Sequence, residues 1–307
     1  MDFHKYPISQ SLIRKFLYKG NEIEHCPKNI YHTEWIQDIP RYISDDMRAG
    51  LFMETKFIGS GARGQVVDDL PRKRLTKLQI AQNEVAEREG KSSPNIGLKK
   101  VAQIRIEQQE LIFRQLCVKY QISIVPGINT QVPIKIIWEA DPSIMLDMTL
   151  DIFPTPVMGQ SGFYVSVIDL KATGDIHNTF GEYCYGDPEN LDKTQGWMYN
   201  YGVRNIDFNL NPHFQDIITP KMMNIIKEGE VKFLMWVWNF GKDDLENKFI
   251  QVKWDENGKR ELFERIRKTI AIIEKHEAEG WPTKPEYGFC VKCPIENCVD
   301  RTVVDNC

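Results

Sequence analysis

The sequence predicts an α/β fold with a mixed central sheet flanked by helices. Three observations predict it. Three β-rich segments follow one another closely between residues 132 and 171, and a further aromatic strand at 232–238 is separated from them by helical sequence. Amphipathic helical segments stand on both sides of this group. Helices, three strands, a helix, a strand and a helix in that order suit a sheet covered by helices.

The elements can be justified in turn. Residues 1–46 read as irregular, broken by Pro7, Pro27 and Pro40, with Ser9 or Ser11 able to cap a short helix over Leu12–Leu17. A helix starts after Ser44-Asp45-Asp46, carries Leu51, Phe52, Glu54 and Phe57, and is ended by Gly59, Gly61 and Gly64. A loop over 89–95 leads to a helix over 97–120, whose apolar side holds Ile104, Leu111, Ile112 and Leu116. Strands follow at 132–139, 144–153 and 163–171, with Pro154, Pro156, Gly159 and Gly162 as the turn between the second and third. A helix around 192–201 precedes strands at 232–238 and 249–254. The last helix, 260–279, is apolar through Leu262, Phe263, Ile266, Ile270 and Ile273 and stops at Gly280. This divides the chain into an N-terminal segment (1–46), a central domain (47–280) and a cysteine-rich tail (281–307).

With 307 residues the chain can bury one large core or two small ones, and its 42% apolar and 27% charged residues are ordinary for a globular protein. A net charge of −4 excludes a bulk positive field, so any nucleic-acid surface must be a local patch. The first residues lack the apolar core of a signal peptide, and no run reaches transmembrane length. The expectation is a cytoplasmic protein with no membrane partner, its seven cysteines reduced unless they bind metal.

The chemistry-bearing residues lie in the strands. Asp151 falls in the apolar run 145–153, and Asp169 and Lys171 end the run 164–171. Strand side chains alternate, so Asp169 and Lys171 share a face while Leu170 turns to the core. Two carboxylates about 4 Å apart repel by about 4 kcal/mol at an effective dielectric of about 20, so such a pair calls for a cation. Mg²⁺ takes oxygen ligands, and in phosphodiester hydrolysis it can generate the nucleophile and neutralise phosphate charge. The Lys171 ammonium would stand beside the attacking water. Gln195 and Tyr199, at i and i+4, share one helix face. The bland alternatives are a solvated Asp–Lys pair, and a core tyrosine beside an exposed glutamine.

Asp, Asp-x-Lys and Gln-x-x-x-Tyr in this order resemble the RecB-like branch of the PD-(D/E)XK nuclease superfamily. The resemblance implies a restriction-endonuclease-like core and a Mg²⁺- or Mn²⁺-dependent deoxyribonuclease. It assigns catalytic roles to Asp151, Asp169, Lys171, Gln195 and Tyr199. It also implies a metal-binding acid on the first helix, either Glu54 in Gly50-Leu51-Phe52-Met53-Glu54 or, as second choice, Asp68, which stands where the family's other form has histidine. An exonuclease is implied, acting alone or with a helicase, recombinase or single-strand-binding protein; the size and the isolated nuclease module suit a phage or mobile-element recombination, replication or repair protein, in the host cytoplasm if phage-encoded. The alternative is a non-catalytic DNA-binding or assembly module that retains the fold.

Cys290, Cys293 and Cys298 lie close together near the end, with Cys307 last. In a reducing compartment this spacing suggests a metal site, zinc or iron–sulfur. The segment around Cys26 resembles the lone N-terminal cysteine of the four-cysteine iron–sulfur exonucleases of the AddB and CRISPR-associated type. That resemblance implies a [4Fe–4S] cluster on Cys26, Cys290, Cys293 and Cys298. The alternative is a zinc knuckle of Cys290, Cys293, Cys298 and Cys307 with Cys26 free. Cys117 and Cys184 read as plain thiols.

Arg72, Lys73, Arg74 and Lys77, with Lys99, Lys100 and Arg105, either line a DNA path or form a solvated face. Trp236, Trp238 and Trp254 could stack on bases, although an aromatic strand is more often core.

Overall fold

The computed structural model describes residues 1–38, 43–61, 64–70, 76–88, 101–159, 162–180, 191–241 and 245–284, together with Cys293, Ile295 and Cys298. The chain opens with a two-residue strand β1 (Ile8–Ser9) and helix α1 (Gln10–Phe16), capped by the Ser9 side chain accepting from Leu12 N–H. A small hairpin of β2 (Leu17–Tyr18) and β3 (Asn21–Glu22) leads to the short α2 (Pro27–Ile30), which runs into a π-helical turn over Tyr31–Ile36. Helix α3 (Asp45–Ile58) is capped by Ser44, carries Asp45 and Asp46 in its first turn, and ends at Gly59 in the left-handed region, φ 92°. Helices α4 (Lys77–Arg88) and α5 (Val101–Lys119) follow.

The sheet strands then arrive: β4 (Thr130–Ile137), β5 (Met145–Gly159) and β6 (Gly162–Thr173). After α6 (Ile176–Phe180), α7 (Thr194–Arg204) and α8 (Pro220–Glu228) come β7 (Glu230–Asn239), β8 (Asn247–Val252) and the long α9 (Glu256–Ala278). Six strands form one mixed sheet in the order β1-β5-β6-β7-β8, with β4 on β5. The β5–β6, β7–β8 and β4–β5 pairs are antiparallel, whereas β6–β7 and β1–β5 are parallel.

Strand alternation sorts the core into two layers. On one side Ile168 and Leu170 of β6 and Trp236 and Trp238 of β7 meet Phe52 and Phe57 of α3 and Ile106 and Phe113 of α5. On the other, Val165, Val167, Phe233 and Met235 meet α1, α7 and α9 through Phe16, Met198 and Ile266. Trp236 and Trp238 are fully buried, which removes them as base-stacking platforms, and Trp254 packs beside Tyr201.

Three sequence expectations change. Pro154 and Pro156 lie within β5 rather than in the turn after it. Beyond Ile152, β4 no longer pairs with β5, so a residue without an N–H is tolerated on that open edge. The buried stripe of α5 is Gln103, Ile106, Gln109, Phe113 and Cys117, and Ile104 and Leu111 are exposed. Gln109 disguises the stripe, because its buried amide donates to the Asn239 carbonyl at 2.5 Å. Finally, β1 and α1 join the sheet and the core, so the first residues are not irregular.

Candidate active site

The site lies where the sheet forks. One edge of β5 pairs with β4 from Met145 to Ile152. The opposite edge pairs with β6 from Ile152 onward but with β1 at Leu146 and Asp147. β5 therefore parts from β6 just before Ile152, and β1 fills the gap. Asp151 stands at the point of divergence. Its Oδ2 accepts a hydrogen bond from Leu170 N–H at 2.7 Å, and its Oδ1 accepts one from Gln131 Nε2 at 3.0 Å.

From β6, Asp169 and Lys171 project to the same face, with Lys171 Nζ 2.5 Å from Asp169 Oδ2. Asp169 Oδ1 accepts from Gln195 Nε2 at 2.6 Å, and the same nitrogen lies 3.1 Å from the Tyr199 hydroxyl. Asp169 Oδ2 is buried against the Lys171 ammonium. Helix α7 can carry Gln195 and Tyr199 this close because Gly196 rests directly on Val252 and Phe233, where a Cβ would come within 2.8 Å of both. Its N-terminus is fixed by Asp192, whose Oδ1 accepts from Thr194 N–H and from Arg265 of α9 at 2.8 Å.

Asp151, Asp169, Lys171, Gln195, Tyr199 and Glu54 of α3 line one cavity of about 250 Å³, with Ser9, Gln10, Ser11, Gln131 and Asp147 completing its polar wall. Asp68 lies beyond the end of α3, is exposed and does not line the cavity, so of the two candidate acids Glu54 is the one that faces the other carboxylates. Ser9–Ser11, Gln131 and Asp147 escaped the sequence reading. They arrive through β1 pairing and β4 register, which leave no motif.

Electrostatically the cavity is strained. Burial, followed by the Asp169 and Glu54 charges, pushes the Asp151 carboxyl well above the usual range. Burial also raises Asp169, against the opposing pull of Lys171 and Gln195. For Lys171 burial disfavours the charge, but Asp169, Asp151 and Glu54 together outweigh it and raise its pKa, so the ammonium persists. Tyr199 is raised well above its ordinary value by burial and then by the same carboxylates, so its phenol stays protonated. The donor set fits a hard divalent cation: three carboxylates, two of them disfavoured as anions by burial. As the side chains stand, no three His, Cys, Asp or Glu among the described residues converge closely enough to chelate one ion.

The cysteines form a second locus. Cys26 caps α2, and Cys26, Cys293 and Cys298 are buried. Burial raises the Cys26 thiol, the backbone N–H groups of Lys284 and Asn29 oppose this, and Cys293 and Cys298 lie close enough to raise it further. Asn29 Nδ2 lies 3.6 Å from Cys293 Sγ. Cys290 and Cys307 lie outside the described residues, as do Cys184, Arg72, Lys73, Arg74, Lys99 and Lys100. Of the other basic candidates, Lys77 is exposed at the start of α4, and Arg105 is half-buried with its guanidinium donating to the Phe240 carbonyl.

No family profile and no curated protein sequence matches the chain. Among solved structures, one titled as a "Putative exonuclease" from Eubacterium rectale is similar in fold. Its TM-score is 0.52 at 13% identity, over 96% of this chain and 90% of that one. The likeness is one of fold and extends over nearly the whole chain. Among the described residues no helix is long and apolar enough to cross a membrane.

Proposed function

We propose that this protein is a divalent-metal-dependent DNA nuclease of the RecB-like branch of the PD-(D/E)XK superfamily, and an exonuclease within it. One observation carries the reading: Asp151, Asp169 and Glu54 face the Lys171 ammonium across a single cavity at the fork of the sheet. A similar fold in the structure titled "Putative exonuclease" supports it.

Asp151, Asp169 and Glu54 would hold Mg²⁺ or Mn²⁺, which supplies Lewis acidity and charge neutralisation at a scissile phosphate. The chain's own groups do the remaining work. Asp151 is held from both sides by Leu170 N–H and Gln131, so its oxygens are oriented before anything binds. Gln195 occupies Asp169 Oδ1 and leaves Oδ2 facing Lys171. Lys171, fixed as an ammonium, would orient the attacking water and stabilise charge developing on the phosphate. Tyr199 steadies the Gln195 amide through its hydroxyl.

Cys26, Cys293 and Cys298 with Cys290 would hold a [4Fe–4S] cluster, which ties the N-terminal segment to the tail; zinc is the other occupant such thiolates suit, with Cys307 as the other available ligand. Anaerobic purification followed by iron, sulfide and zinc analysis distinguishes the two. DNA is the substrate in this reading, and a helicase, recombinase or single-strand-binding protein is a suitable partner in recombination or repair.

The test is purified protein with Mg²⁺ or Mn²⁺ on linear and on covalently closed DNA. Degradation of the linear form alone, abolished by Asp169→Asn, is expected. Absence of any metal-dependent degradation overturns the enzyme reading and leaves a DNA-binding or assembly module. Nicking of closed circles overturns the exonuclease assignment.

A further inference from the structure

We infer that Gln131 is a positioning residue of the proposed metal site, acting through Asp151; the inference rests on the nuclease reading. Thr130 pairs with Ile152 and Val132 with Leu150, so Gln131 lies across the β4–β5 ladder from Asp151 without being its ladder pair. Its backbone lies in the left-handed region at φ 51°, which a glutamine in a strand rarely adopts. Strain of this kind persists only where the surroundings enforce it, and it gathers at functional sites. Here it accompanies a side chain that reaches the cavity and donates to Asp151 Oδ1 at 3.0 Å.

The amide orientation follows from chemistry. A carboxylate only accepts, so the –NH₂ must face Asp151 and the amide oxygen must turn away from it. That oxygen, Gln131 Oε1, is buried and without a partner. Gln131 Nε2 holds Asp151 Oδ1 at 3.0 Å and so fixes the direction in which that carboxylate faces the cavity. Groups that orient a metal ligand in this way set metal affinity.

Gln131→Gly separates this role from a purely structural one, because glycine accepts positive φ without strain and lacks the amide. Gln131→Leu removes the same hydrogen bonds while keeping side-chain bulk. Mn²⁺ binding is followed by loss of the free-ion paramagnetic signal, and thermal midpoints are measured in EDTA, for wild type, both variants and Asp169→Asn. The expected result is a Mn²⁺ affinity about tenfold or more weaker in Gln131→Gly, with its metal-free midpoint retained. Wild-type affinity in Gln131→Gly overturns the inference, even if Gln131→Leu fails to fold. If wild type binds no Mn²⁺ that Asp169→Asn abolishes, the nuclease reading falls and this inference falls with it.

Discussion

Asp169 Oδ2 and Lys171 Nζ lie 2.5 Å apart, two residues along one strand, with the carboxylate buried and the ammonium reaching the cavity. The pair is not a surface ion bridge of small consequence, because burial penalises both charges and their mutual contact is the largest influence opposing that penalty on each. Lys171→Met keeps the stem and removes the charge. Its expected effect is a loss of cleavage of about a hundred- to a thousandfold with DNA affinity retained, read by single-turnover degradation alongside a binding titration. Equal losses in both measurements would assign Lys171 to binding instead.

The elevated carboxyl of Asp151 makes metal-free stability depend on pH, and the sign can be worked out. Its folded pKa exceeds the unfolded one, so between the ordinary carboxylate range and the raised value the folded state holds the extra proton. Stability is then fully present below the ordinary range and declines as pH rises through the raised value. Lys171 stays protonated in both states across this window and adds no slope. Asp151→Asn should raise the metal-free thermal midpoint at neutral pH and flatten its decline. Gln131 can flip its amide to present Oε1 to the new –NH₂, so the Asn is accommodated. The same variant should lose the stabilisation that Mn²⁺ gives the wild type. Midpoints measured in EDTA and in Mn²⁺ from pH 5 to pH 8 check both halves.

The fold and the site were legible to different degrees. Strands such as Glu230–Asn239 carry long β-branched and aromatic runs, so their position is plain from residue type. Asp169 and Lys171 share a face by alternation alone, and Gln195 and Tyr199 share one by helical spacing. What could not be read is pairing. The β1 strand has two residues and no periodicity, yet it fills the fork and brings Ser9–Ser11 to the cavity. Gln131 matters only because register sets it across the ladder from Asp151. On α5, two buried polar residues, Gln103 and Gln109, shifted the apparent apolar face away from the true one. The failures are all tertiary choices that local sequence does not record.

Gln195 carries a prediction of its own. Gln195→Leu strips Asp169 Oδ1 of its donor at 2.6 Å and leaves a buried carboxylate oxygen unsatisfied. The expected loss is about 1–3 kcal/mol of stability, with a large fall in cleavage. Tyr199→Phe removes only the hydroxyl that meets Gln195 at 3.1 Å, so both effects should be smaller. Urea unfolding with single-turnover rates orders the two variants. The reverse order would place Tyr199, rather than Gln195, in contact with the reacting groups.

The Asp192–Arg265 pair anchors α7 and should therefore be felt at the site. Arg265 approaches Asp192 Oδ1 at 2.8 Å, and the same oxygen accepts from Thr194 N–H and Thr194 Oγ1 at the start of the helix. Its guanidinium also lies over Trp197, so it couples α9 to the first turn of α7 through charge and stacking together. Both partners are buried, and Arg14 offers Asp192 only a longer contact at 3.7 Å. Removing one member of a buried pair leaves the other charge uncompensated, so Arg265→Leu should lower stability by about 3–5 kcal/mol. Arg265→Lys keeps a charge but cannot reproduce the planar stacking, so partial recovery is expected. Thr194 immediately precedes Gln195, so release of the first turn frees the amide that holds Asp169. Cleavage in Arg265→Lys should fall more than its unfolding free energy alone explains, measured well below its unfolding midpoint. An Arg265→Lys enzyme with full activity and reduced stability would confine this network to folding.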